Sequence, residues 1–127
     1  MIPTKKISLT LLEYAEPLIQ DLPEDYSQHE LEGVLKLAAF VWNICVLDQW
    51  SGTTKNVEAL KRQMSTGPNP VPVGMVEFLI LRKQQMFSMD PRAITNECVV
   101  VRNGEFVVRA EARIDVQDAP INGGALN

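Results

Sequence analysis

Histidine and cysteine are scarce in this chain: His29 is the one histidine, and Cys45 and Cys98 are the two cysteines. No H-x-x-x-H, no C-x-x-C and no D-x-D-x-D loop occurs, so the spacing builds no closed zinc or calcium site, and no metal or cofactor is expected. A nucleophile-base triad would have to recruit His29, which falls in the first turn of a predicted helix end among Asp25, Glu30 and Glu32. No serine occupies a G-x-S-x-G elbow. The seven glycines are scattered and form neither G-x-G-x-x-G nor a Walker A loop, which removes the backbone cradle for nucleotide phosphates.

Long apolar runs are also missing. The longest, Leu37 to Leu47, has 11 residues and contains Asn43, against the roughly 20 that cross a bilayer. Lys5 and Lys6 precede a short apolar run, but Glu13 and Glu16 interrupt it before a signal-peptide core is complete. The cysteines suggest no disulfide framework and read as free thiols, as in a reducing compartment. The expected location is therefore the cytoplasm. Excess positive charge is absent as well: the net charge is -4, which disfavours phosphate backbones and anionic lipid surfaces as partners.

What is present suits a globular domain. At 127 residues with 46% hydrophobic and 22% charged side chains, the chain can bury roughly two thirds of its unfolded surface in one core. The stretch Phe40 to Trp50, "FVWNICVLDQW", holds both tryptophans and Cys45, with Asn43 and Asp48 set into it. Ser27-Gln28-His29-Glu30 forms a capping box ahead of it. From there Leu31, Val34, Leu35, Ala38, Val41, Trp42, Cys45 and Val46 follow the spacing of one buried helix face. Leu37, Phe40, Ile44 and Leu47 add a second apolar side, leaving a narrow polar stripe of Glu32, Lys36 and Asn43. That second side needs a cover, supplied either by the rest of the chain or by a second copy.

Three further helices are predicted. Thr10 to Glu13 has the form of a capping box, with Leu9 and Tyr14 placed as a hydrophobic staple, although Ile7 to Leu9 also alternates like a short strand. Pro17 should kink or restart this first helix, since it lacks the N–H that would bond Glu13. Val57, Leu60 and Met64 mark the inner side of a third helix, and "STGPNPVP" (Ser65 to Pro72) reads as a breaker-rich loop. Met75, Val76, Leu79, Ile80, Met86 and Phe87 mark a fourth, ending near Asp90-Pro91.

The period then changes to two. Asn103-Gly104 predicts a type I′ hairpin that pairs Arg102 with Glu105, Val101 with Phe106, Val99 with Val108 and Cys98 with Arg109. Val99, Val101, Phe106, Val108, Ala110, Ala112 and Ile114 share its apolar face, with Ile94 on the opposite one. The expected fold class is α+β: an N-terminal bundle of about four helices, then a two-stranded antiparallel hairpin packed on it. The domain should occupy 1–116, with 117–127 as a flexible tail.

Candidate chemistry is thin. An arginine opposite Cys98 could favour its thiolate, but a solvated Arg109 beside a structural thiol is the simpler reading. Arg82, Lys83, Arg92, Arg102, Arg109 and Arg113 invite a phosphate guess, which Glu105 and Glu111 weaken; cross-strand ion pairs are the expectation. Core gap-filling is expected of Met64, Met75, Met86 and Met89. The candidate binding residues are Trp42, Asn43, Asp48, Trp50 and Arg109. Together they favour a non-catalytic interaction module of adaptor, accessory or immunity type, binding a protein partner or itself as a homodimer, with neither nucleic acid nor membrane. The alternative is a small-molecule binder or minor enzyme with a pocket between the central helix and the hairpin.

Overall fold

A computed structural model of the protein describes residues 5–66 and 73–114. The expected tail and Gly67 to Pro72 of the breaker-rich loop lie outside these residues. Four helices, α1 (Ile7–Gln20), α2 (Gln28–Ser51), α3 (Lys55–Thr66) and α4 (Val73–Met86), precede the strands β1 (Ala93–Arg102) and β2 (Glu105–Arg113). The α+β architecture read from the sequence is the one observed.

Helix α2 is the centre, packed by α1, α3, α4 and β1. Its start is the predicted capping box: the Glu30 N–H donates to Ser27 Oγ at 3.1 Å and the Ser27 N–H to Glu30 Oε1 at 2.9 Å. Its end is Gly52, whose φ of 66° is left-handed and whose N–H returns to the Asp48 carbonyl. Leu31, Leu35, Ala38, Val41, Trp42, Cys45 and Val46 are buried along it, as their spacing requires.

The first helix begins one turn earlier than the Thr10 capping box implied. It starts at Ile7 behind Lys6, without a side-chain cap, and neither that box nor the Leu9–Tyr14 staple forms. Starting at Ile7 buries that side chain, while Thr10 sits inside the helix with its hydroxyl accepting from Arg92 Nη2 at 3.2 Å. Leu9 is half exposed and Tyr14 fully buried, so the two point to different surroundings.

Helix α1 runs through Pro17 without ending. Proline has no N–H for the Glu13 carbonyl, which an uninterrupted helix would satisfy from position 17. Arg82 on α4 takes that role: Nη2 donates to the Glu13 carbonyl at 2.8 Å and Nε to the Tyr14 carbonyl at 2.9 Å. A proline that would weaken an isolated helix thereby becomes an attachment point for α4. We expect Arg82→Ala to cost about 1–3 kcal/mol by removing charge-assisted bonds to these carbonyls, and less in a Pro17→Ala background, where the helix can satisfy Glu13 itself. A double-mutant cycle by urea unfolding reads the difference.

The hairpin has the predicted register, and the left-handed φ values of Asn103 (56°) and Gly104 (78°) make its turn. One correction concerns its base: a bulge between Ile94 and Asn96 shifts the alternation. Ile94 therefore moves to the helix-facing side, opposite Ala112, and is buried. At the other end Val101 and Phe106 project past the helices, with Phe106 stacked on Tyr26 at 5.8 Å.

Candidate functional site

The stretch Phe40 to Trp50 places its polar atoms against the hairpin and the loop that leads to it. Trp42 is fully buried and donates from Nε1 to the Arg92 carbonyl at 2.6 Å. Trp50 donates likewise to the Pro91 carbonyl at 2.8 Å, with the Arg113 guanidinium 6.0 Å from its ring centre. Asn43 forms a two-way bond with Ile94, donating from Nδ2 to its carbonyl at 2.8 Å and accepting its N–H on Oδ1 at 2.7 Å. Gln28 and Glu32 do the same for Val99, on its carbonyl at 2.7 Å and its N–H at 3.3 Å. The polar stripe of α2 thus occupies the edge of β1 as a neighbouring strand would.

Asp48 is also committed. Its buried carboxylate accepts the N–H groups of Asn56 at 3.0 Å and Val57 at 2.9 Å, capping the start of α3 from the end of α2. Arg109 stands apart from these four residues, exposed on β2 opposite Cys98. Between α2 and the hairpin, the crevice bounded by Leu35, Lys36, Glu97 and Cys98 is too narrow for water.

A larger cleft, about 590 Å³, opens on the other side of α2, where Cys45, Asp48 and Gln49 meet Thr53, Thr54, Lys83, Gln84 and Ser88. Lys83, grouped by sequence with the cations that invite a phosphate reading, lies in the interior here. It is 2% exposed, and its ammonium donates to the carbonyls of Phe87 at 2.7 Å and Asp90 at 3.0 Å and to Gln49 Oε1 at 3.4 Å. Its Nζ also lies 4.6 Å from the Trp42 ring centre. Burial holds Lys83 below its ordinary pKa, opposed by Asp90 and Cys45. Burial likewise pushes the Cys45 thiol up to about 11, with Lys83 opposing and Asp48 adding to the rise. A thiol so placed stays protonated and weakly nucleophilic. A signal for Lys83 did exist, since it continues the Val76, Leu79, Ile80 spacing of the buried face of α4.

Around Lys83 the rings of Tyr14, Trp42 and Phe87 meet edge to face at 5.1–5.6 Å. Tyr14 donates its hydroxyl to the Leu79 carbonyl at 2.7 Å, and its phenol is raised above the ordinary range, by burial first and then by Cys45. Arg92 completes this interior: it holds Asp90 through Nε at 3.0 Å and Nη2 at 2.8 Å, and reaches the Lys5 carbonyl through Nη1 at 2.7 Å. Three cations that invited a phosphate reading, Arg82, Lys83 and Arg92, therefore spend their donors on the fold. The expected cross-strand ion pairs do not form: among the described residues the ion pairs join Lys5 to Glu13 and Arg92 to Asp90.

Part of what α2 leaves open is apolar. Phe40 is 51% and Leu47 41% exposed, beside half-buried Leu37 and Ile44. Among the described residues, the cover that this face needed is only partly supplied. The methionines divide: Met64 and Met75 pack against the core, while Met86 and Met89 are exposed, a correction to the gap-filling expected of them. Among the described residues no group of acidic, Cys and His side chains could hold a metal, and no helix is long and apolar enough to cross a membrane. No family model, curated protein or solved structure matches this chain.

Proposed function

We propose that this chain is a cytoplasmic, non-catalytic interaction module, of adaptor, accessory or immunity type, that seats a protein partner on the outer strip of α2. The observation that carries the reading is the exposure of Phe40 and Leu47 on the central helix, against which α1, α3, α4 and β1 pack. Spaced seven apart with Ile44 between them, they present one continuous apolar row, the kind of surface that takes the apolar face of a partner's amphipathic helix. The polar residues that could have served a substrate support the same reading by their internal commitments: Asn43 to Ile94, Asp48 to the start of α3. The location is supported by the two unpaired cysteines.

The test compares wild-type bait with Phe40→Asp and Leu47→Asp in native capture. Both side chains are about half exposed, and circular dichroism and urea unfolding confirm that each variant remains folded under the capture conditions. The expected result is a protein retained by wild type and lost from both variants. An identical set of captured proteins would contradict the reading. Loss of none, with instead a small polar metabolite raising the unfolding temperature, would move the function to the 590 Å³ cleft.

A further inference from the structure

The two edges of the hairpin sheet are treated differently. On β1, both backbone groups of Ile94 are bonded to Asn43, and those of Val99 to Glu32 and Gln28. These groups point away from β2, so Ile94 and Val99 occupy non-hydrogen-bonded positions of the ladder, and so do their register partners Ala112 and Val108. The N–H and C=O groups of Ala112 and Val108 then point out of the sheet on its far side, and those of Phe106 and Ala110 follow by alternation. Among the described residues no hydrogen bond reaches these outward groups of β2. Backbone groups left unpaired along a nine-residue strand, against which α1 packs with an open cleft between Lys6 to Ser8 and Ala110 to Ala112, are a template for another strand.

The side chains of β2 narrow the choice of that strand. Glu105, Arg109, Glu111 and Arg113 alternate in sign along its exposed solvent face. Inside the hairpin Arg109 faces Cys98 and Glu111 faces Asn96, and neither charge has an ion-pair partner among the described residues. Read backwards, however, the strand complements itself. Setting two copies antiparallel about Arg109 would oppose arginine to arginine; about Val108 it would oppose Glu105 to Glu111; about Glu111 it would oppose like charges throughout. An axis at Val107 avoids this but overlaps only Glu105 to Arg109. An axis at Ala110 overlaps Val107 to Arg113, pairs Val108 with Ala112 through their free backbone groups, and sets Arg109 against Glu111 twice.

We infer that β2 pairs antiparallel with β2 of a second copy about Ala110, joining two hairpins into one continuous sheet with Arg109 of each copy facing Glu111 of the other. This self-association uses a different surface from the α2 strip and stands independently of the partner proposed there. Sedimentation equilibrium at low salt tests it with Arg109→Glu, Glu111→Arg and the double swap, circular dichroism confirming that each folds. Wild type is expected to be a dimer. Each single reversal turns two attractive cross-strand contacts into repulsive ones and should weaken the dimer on the order of tenfold, and the double swap should restore it. A wild type monomeric at every concentration, or single variants that dimerise as wild type does, would overturn the proposal. So would a double swap as weak as the singles, or a dimer broken by Phe40→Asp and untouched by Arg109→Glu, which would assign self-association to α2.

Discussion

Replacing Arg92 by alanine is expected to cost the fold about 3–5 kcal/mol, because it strands the Asp90 carboxylate in the interior with its ion-pair partner gone. Arg92 is 9% and Asp90 6% exposed. The same guanidinium holds the Lys5 carbonyl and the Thr10 hydroxyl, so its loss also detaches the start of α1 from the segment that begins the hairpin. For a domain whose total stability lies in the range of about 5–15 kcal/mol, that is a third or more of the whole. Urea unfolding should show a much lower midpoint with an unchanged slope. Asp90→Asn combined with Arg92→Met should cost less than Arg92→Ala alone, since it removes both charges together. A single variant within about 1 kcal/mol of wild type would show that this pair is no mainstay of the fold.

The second large effect is expected at Asn43. Alanine there leaves the Ile94 N–H and C=O without partners beneath half-buried cover, a loss of about 2–4 kcal/mol. Aspartate is an informative companion. It retains an acceptor for the Ile94 N–H but sets a carboxylate against the Ile94 carbonyl, so it should fare no better than alanine. If Asn43 were instead poised for a ligand, alanine would leave stability unchanged and remove binding. The cost should also be local. Ile94 lies beside the bulge at the base of β1, where the hairpin leaves the loop from Asp90 to Arg92, so loosening it frees the hairpin from α2 before it disturbs α3.

These two positions mark the boundary of what the sequence discloses. The capping box at Ser27 and the Asn103-Gly104 turn were legible because each is made by neighbours along the chain. The buried row of α2 was legible because a helix has one period. Asn43 and Glu32 could be placed on a polar stripe for the same reason, but not paired with Ile94 and Val99. Those partners lie 51 and 67 residues away, and no local pattern carries that information. Arg92 and Lys83 were harder still, because an interior cation is identified by the carbonyls folded around it. The false box at Thr10 has the converse explanation. Its local chemistry was adequate, but burying Ile7 and giving the Thr10 hydroxyl to Arg92 outweighed one cap worth about 1 kcal/mol. The bulge beside Ile94 carried no glycine to announce it.

Of the candidate residues, the position along α2 was legible and the bonds they make were not. Trp42, Asn43, Asp48 and Trp50 do cluster at one region of α2, yet each directs its polar atoms into the fold. Phe40 and Leu47, singled out as needing a cover, are the large apolar side chains that α2 leaves exposed.

The polar stripe of α2 serves as the missing neighbour of β1. Amide hydrogen exchange at Ile94 measures it directly, in wild type and in Asn43→Ala. In wild type the Ile94 amide should be strongly protected although it points away from β2, and in the variant it should exchange at least about tenfold faster, while the ladder amides of Val100 and Val107 keep their rates. An Ile94 amide that exchanges freely in wild type, or equally slowly with and without Asn43, would contradict the account.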